Sequence, residues 1–207
     1  MASPEREKIA KFFIESEGST NSSAYEHYTH AADLKEVASG QKPAAMFYLR
    51  NAEDAEKIEG FIIGNLSELS VDRYGTNVIV SRDSEKVEGL KSLLSEPQTP
   101  DSRKELGLML GIPEKAVDAF VDPGYNLYDV VIRHGYLEKK EFDHDAPCFA
   151  GYMPSSLDDP EFLESGRRRR DLLEEMFGHD TVGRYVESFR KTVIDIPALL
   201  ASYTFDQ

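Results

Sequence analysis

The sequence predicts an α+β protein with a small mixed sheet, several packed helices and a helix-rich C-terminal half. Two kinds of pattern lead to this prediction. Short apolar runs of strand length occur at 43–50 and 76–82, the second rich in β-branched residues. Apolar residues with helical spacing recur along the rest of the chain, most clearly at 104–120, where two amphipathic segments meet at a Gly111-Ile112-Pro113 break.

The first half is predicted to alternate helices with strands. Helices are expected from Ser3-Pro4 to Glu17, for one or two turns within 25–38, over 52–66 with Asn51 as the cap, and from Asp83 or Ser84 onward. Strands are expected at 43–50, 69–73 and 76–82, with Tyr74-Gly75 as the turn between the last two. The 43–50 strand, the 52–66 helix and the 76–82 strand could form a βαβ-type unit.

The second half is predicted to be mostly helical. In the 104–120 pair, the inward positions predict joint burial of Leu106, Leu110, Val117 and Phe120. Long helices are expected from Ser156 or Asp158 to near Gly178, and again from Asp180. The proline-rich stretch at 96–101 is a candidate subdivision, but the apolar helices on both sides favour a single domain over 1–207.

Composition limits the function classes. The chain has 207 residues, with 38 acidic and 24 basic side chains and a net charge of −14. This charge argues against nucleic-acid binding, which depends on Lys and Arg at phosphates, and against docking on an anionic membrane. The charged N-terminus lacks the apolar core of a signal peptide, and no run of about 18 apolar residues occurs. A cytoplasmic protein is therefore expected.

His27 and His30 are candidate metal ligands. Residues three apart share a helix face, so both imidazoles could meet one ion. Zinc would need a third ligand, from His134, His144, Cys148 or a carboxylate. No Glu lies between the two histidines as in the zinc-protease motif, and two polar residues on a solvated helix explain the pattern equally. No cofactor is favoured, with zinc as the one candidate.

His144 and Cys148 are candidate catalytic residues. A nearby histidine lowers the pKa of a thiol and could make Cys148 a nucleophile. The alternative is a small buried cysteine packed behind Pro147 and Phe149, which we favour because free cysteines are usually buried. Cys148 is the only cysteine, so the chain cannot form an intramolecular disulfide.

Two further clusters carry weaker signals. The run Arg167–Arg170 is flanked by acidic residues, which predicts an exposed helix face paired by i,i+4 contacts, with an anion site as the alternative. The 122–153 segment could line a pocket or the rim of a core with Tyr125, Tyr128, Tyr136, Tyr152, Arg133 and His134.

At 110–120 and at His144-Asp145-Ala146-Pro147-Cys148, the chain resembles an archaeal family of uncharacterised proteins. That family carries an LGYP-x-C-C-x-x-F segment and, before a long helix, a His-x-Pro-Cys segment. The resemblance covers about 104–177 and implies a shared fold. Here Lys115 and Ala116 stand at the paired cysteines and Ile112 replaces the tyrosine, so the resemblance implies no thiolate metal site.

Two functions remain open from the sequence. The first is a module that binds a protein partner or a second copy of itself. The second is a small-molecule enzyme, or a metal- or ligand-binding protein, with a pocket built from the 122–153 segment and using His134, His144 and Cys148.

Overall fold

The computed structural model describes residues 4–18, 23–122 and 159–189. The chain divides into two compact units, 1–121 and 122–207. The candidate subdivision at 96–101 therefore lies inside the first unit, where the helices before and after it pack together. Whether 1–207 forms a single domain stays a prediction.

A small sheet forms the centre of the first unit. It consists of β1 (Ala44–Tyr48), β2 (Ser70–Tyr74) and β3 (Asn77–Ser81), in the order β1-β3-β2. Residues Val78, Ile79 and Val80 of the central strand are fully buried. The α+β class predicted from the sequence is confirmed.

The strand order corrects the predicted βαβ-type unit and the predicted mixed sheet. Both β1 and β2 pair with β3 in antiparallel fashion, so the described sheet is antiparallel throughout. The helix after β1 therefore leads to β2, and β3 inserts between those two strands through a hairpin with a two-residue turn. Gly75 in that turn has φ +63°, a conformation that glycine adopts without strain.

The described part of the first unit contains six helices: α1 (Pro4–Ser16), α2 (Ala24–Ala38), α3 (Ala52–Asn65), α4 (Ser84–Ser95), α5 (Pro100–Met109) and α6 (Glu114–Val121). Side chains that accept backbone N–H groups fix where they begin. Asn51 caps α3 as predicted, Asp83 rather than Ser84 caps α4, and Ser23 and Thr99 form capping boxes at α2 and α5. Helix α2 runs for 15 residues, so the predicted one or two turns were too short.

Helices cover both faces of the sheet. On one face, Met46 and Ile79 form a cluster with Val87 and Leu90 of α4, and Leu110 packs against that cluster. On the other face, α2 contacts β1 and β3 while α3 contacts β2 and β3.

Ion pairs from β2 follow the same division between the two faces. Asp72 pairs with Lys91 of α4, and the neighbouring Arg73 pairs with Glu59 of α3 at 2.8 Å. Alternate residues of a strand project to opposite faces, so one short edge strand is tied to both helix layers.

The α5–α6 pair forms as predicted, but its core differs from the prediction. Val117 is buried against Gly107, and Lys104 joins the two helices through Asp118 at 2.5 Å. Phe120, in contrast, is 54% exposed, so its predicted burial is wrong. Leu106 and Leu110 are only partly buried, because they pack at the margin of the sheet cluster rather than inside the pair.

The described part of the second unit is helical. Helix α7 (Pro160–Phe177) is capped by Asp159, one residue after Asp158, the later of the two predicted starts, and ends at Gly178. Helix α8 is described over 179–189. Phe162, Leu173, Met176 and Tyr185 are among the buried side chains of this unit. Over 4–18, 23–122 and 159–189, no helix combines the length and the apolar character needed to cross a membrane.

We predict that Gly111→Ala destabilises the protein by about 1–3 kcal/mol. Gly111 has φ +77°, and a Cβ there would lie 2.6 Å from Cδ of Pro43, just before β1. Urea denaturation measures the change. Gly60→Ala is the matched control, because Gly60 lies inside α3 with open space around it and should gain about 0.5–1 kcal/mol. Equal effects of the two substitutions would contradict this account.

Candidate functional site

Helix α2 carries an unusual set of buried ionisable side chains. His27, His30, Asp33 and Glu36 are all buried, at intervals of three residues. Charged residues are rarely buried to this extent unless they are paired, so their burial on one helix marks a place to examine for function. This set is therefore the first candidate site in the part of the chain that the structure describes.

His27 connects the end of α1 to α2. Its Nε2 lies 2.7 Å from the carbonyl oxygen of Phe13, and because a carbonyl can only accept, Nε2 must carry the proton. Phe13 is within the last four residues of α1, whose carbonyls have no partner inside their own helix. The imidazole thus satisfies one of these carbonyls.

Burial lowers the pKa of His27. The hydrogen bond to Phe13 and the charges of Glu17 and Asp54 act in the opposite direction without cancelling it. The neutral form is therefore favoured more strongly than in an ordinary exposed histidine.

The structure corrects the solvated alternative for His27 and His30, because both side chains are buried. His30 lies with its ring 5.1 Å from that of Phe47 in β1. Among the residues that the structure describes, no three or more His, Cys, Asp or Glu side chains are grouped to hold a metal ion. The third ligands suggested by the sequence, His134, His144 and Cys148, lie outside the described residues, so the metal site stays a prediction.

The acidic residues near α2 have structural partners. Asp33 binds Nζ of Lys42 at 2.6 Å across the turn between α2 and β1. Asp54, at the start of α3, accepts a hydrogen bond from the Asn51 side chain at 2.9 Å and lies 3.9 Å from Lys57. These contacts fix the ends of α2 and α3 beside the sheet.

A second candidate site is a row of side chains across the end of the sheet. Tyr48 of β1 and Tyr74 of β2 both pair with Asn77 of β3, and the three residues project to the face that α4 covers further along. Tyr48 is 63% exposed and Tyr74 38%. Strands lie about 4.8 Å apart, which places the two tyrosine backbones about 10 Å apart with Asn77 between them. We call these three residues the tyrosine row.

The adjacent edge of β2 is partly closed to further strand pairing. In a two-residue hairpin the closing pair exchanges hydrogen bonds, so the N–H of Arg73 points away from β3. That N–H donates to Oδ1 of Asp72 at 2.7 Å. Hydrogen bonding from Lys91 and Arg73 lowers the pKa of Asp72 despite partial burial, which keeps this acceptor ionised. The side chains of the tyrosine row are therefore better placed for recognition than the backbone edge.

The arginine run is only partly as predicted. Arg167 and Arg168 are exposed, Arg167 lies 3.5 Å from Glu164, and Arg170 lies 2.9 Å from Asp171. Arg169, however, is buried with 3% of its surface exposed, so the expected exposure of the whole run is wrong at this position. Successive helix residues point in different directions, and Arg169 lies on the side that carries Phe162 and Leu173.

The remaining predicted residues, Tyr125, Tyr128, Arg133, His134, Tyr136, His144, Cys148 and Tyr152, lie outside the described residues. The sequence prediction did not include the tyrosine row, Asp33, Glu36 or Asp54. The sequence does contain the signal for the Tyr74-Gly75 turn. That signal does not show that β3 lies between Tyr48 and Tyr74, because this depends on the order of the strands in the sheet.

Comparisons with known proteins find no matching family model, no similar curated protein and no similar solved structure. The resemblance to an archaeal family stays a prediction.

We predict that Arg169→Ala costs about 2–4 kcal/mol of unfolding free energy, because it removes a long side chain from a buried position. Arg168→Ala, at the neighbouring exposed position, should cost less than about 1 kcal/mol. Thermal and urea unfolding of the two variants provide the comparison. If Arg169→Ala were as mild as Arg168→Ala, the burial of Arg169 would not contribute to stability.

Proposed function

We propose that this protein acts in the cytoplasm by binding a protein partner or a second copy of itself, and that the tyrosine row is part of the contact surface. The observation that carries the proposal is the exposure of Tyr48 and Tyr74 at matched positions on the two outer strands. Tyrosine is enriched at protein interfaces and among the residues that contribute most to binding energy.

The scaffold beneath the row supports this role. The adjacent row of the sheet contains Met46, Ile79 and Asp72, which α4 contacts through its apolar cluster and through Lys91. The backbone of a well-packed strand is already ordered before binding. Ordering therefore offsets less of the interaction energy of its side chains. Asn77 adds both a donor and an acceptor between the two aromatic rings.

The net charge favours a heterologous partner over self-association. Two copies would bring together two chains of net charge −14, which repel at long range, whereas a basic partner would be attracted. The same charge argues against nucleic acid as the partner.

The alternative function is an enzyme or ligand-binding protein with a site that includes the buried ionisable side chains of α2. The observation that favours it is the burial of His27, His30, Asp33 and Glu36 on one helix. Metal analysis of the purified full chain tests whether this alternative involves a metal ion. One zinc per wild-type chain, and none in the His30→Ala variant, would support it.

We predict that the double substitution Tyr48→Ala, Tyr74→Ala weakens partner binding by about 2 kcal/mol, or roughly thirty-fold in Kd, because it removes two interface anchors. Affinity capture from a lysate of the source cells, quantified by mass spectrometry, identifies proteins that bind the wild-type chain. Titration with the purified partner gives Kd, and sedimentation velocity tests self-association.

Ile63→Ala is the matched control, because Ile63 is a large apolar residue that is 65% exposed on α3, away from the tyrosine row. It should leave binding unchanged. The proposal fails if the double variant binds every captured protein, and itself, as tightly as the wild-type chain does.

A further inference from the structure

We propose that the outer edge of β1 binds an extended segment of a basic partner protein, which joins the sheet as a fourth strand through backbone hydrogen bonds. The segment carries apolar side chains at alternate positions. This inference rests on the proposed function, because Tyr48 belongs both to β1 and to the tyrosine row. It adds a backbone contact to the side-chain contact of that row.

The pairing register leaves one edge of β1 open. The β2–β3 hairpin directs alternate backbone groups of β3 toward β1, where they meet Ala45 and Phe47. The N–H and C=O groups of Ala44, Met46 and Tyr48 therefore point away from the sheet. None of the residues that the structure describes forms a hydrogen bond with these outward groups. Such a row of donors and acceptors matches the backbone of another extended segment.

No charged side chain protects this edge. Outer strands commonly carry charges that prevent further pairing, but the residues of β1, Ala44–Tyr48, include none. Lys42 and Arg50 flank the strand, and each is paired with a carboxylate of α2, Asp33 at 2.6 Å and Glu26 at 3.1 Å. The edge of β2, by contrast, is partly closed by one of its own carboxylates. Of the two outer strands, β1 is thus the one suited to accept a partner.

Apolar side chains beside the edge indicate what the added segment carries. Alternate residues of an added strand project to the α4 face, next to Met46 and Tyr48. Gly111 lies against Pro43, so the end of α5 is close to the start of β1, and Leu110 there is only partly buried. An apolar side chain of the segment covers Leu110 further, whereas a charged one loses its hydration without a partner.

The net charge selects the protein that presents the segment. At −14, the chain repels a second copy of itself at long range and attracts a basic protein. A segment from a basic protein is therefore a better occupant of the edge than β1 of a second copy.

Panning a phage-displayed library of random octapeptides against the full chain tests the proposal. We expect enriched peptides to combine apolar residues at alternate positions with basic residues elsewhere. Tyr48→Pro should weaken binding of a selected peptide roughly tenfold more than Tyr48→Ala does, because only proline removes the outward N–H. Proline at this position breaks no hydrogen bond within the sheet. Arg73→Pro, which removes an outward N–H from β2, is the matched control and should leave Kd unchanged.

Backbone methylation of the selected peptide gives a second measurement, which decides the question if Tyr48→Pro fails to fold. Every second N–H of an added strand faces β1. N-methylation of that set should abolish binding, whereas N-methylation of the other set should preserve it. Equal losses from the two sets would contradict an added strand.

The proposal is overturned if panning enriches no peptide, or if folded Tyr48→Pro binds the selected peptide as tightly as Tyr48→Ala. A wild-type dimer in sedimentation velocity that Tyr48→Pro dissociates would also overturn it, since the edge then belongs to a second copy.

Failure of this proposal is distinguishable from failure of the tyrosine row. If the added strand fails alone, the double substitution Tyr48→Ala, Tyr74→Ala still weakens binding of the captured partner. If the row fails alone, the double variant binds that partner normally, while the selected peptide keeps its alternating response to N-methylation.

Discussion

The structure of the first unit depends on the burial of β3 from both sides. Val78, Ile79 and Val80 are successive residues that project to alternate faces, and all three are fully buried. Three strands cannot cover themselves, so helices must pack on both faces, with α4 on one and α2 and α3 on the other. Because of this requirement, α2 lies deep in the unit and even its ionisable side chains are buried.

The same arrangement accounts for both candidate sites. Where α2 is buried, its polar groups must find partners, and His27 and Asp33 do so through the Phe13 carbonyl and Lys42. On the opposite face of the sheet, α4 does not cover the last row of residues, and Tyr48 and Tyr74 are exposed there. In the first site His27 joins α2 to the end of α1. The second site, the tyrosine row, is suited to contact with another protein.

Local signals in the sequence predicted the elements whose causes are local. Asn51 and Asp83 begin helices because their side chains bind nearby N–H groups, and the β-branched run at 76–82 forms β3. The burial or exposure of individual side chains depends instead on contacts between elements that are distant in the sequence. Spacing alone could not show that Phe120 is exposed, that Arg169 is buried or that His27 lies under α1. The length of α2 was underestimated because a helix buried on nearly all sides shows little amphipathic periodicity.

Protection of the tyrosine row in a complex tests the central claim most directly. Hydroxyl-radical footprinting with mass spectrometry compares the free chain with the chain bound to a captured partner. The account predicts that Tyr48 and Tyr74 are reactive in the free chain and protected in the complex, while Ile63 is equally reactive in both. A complex in which both tyrosines remain as reactive as in the free chain would contradict the account.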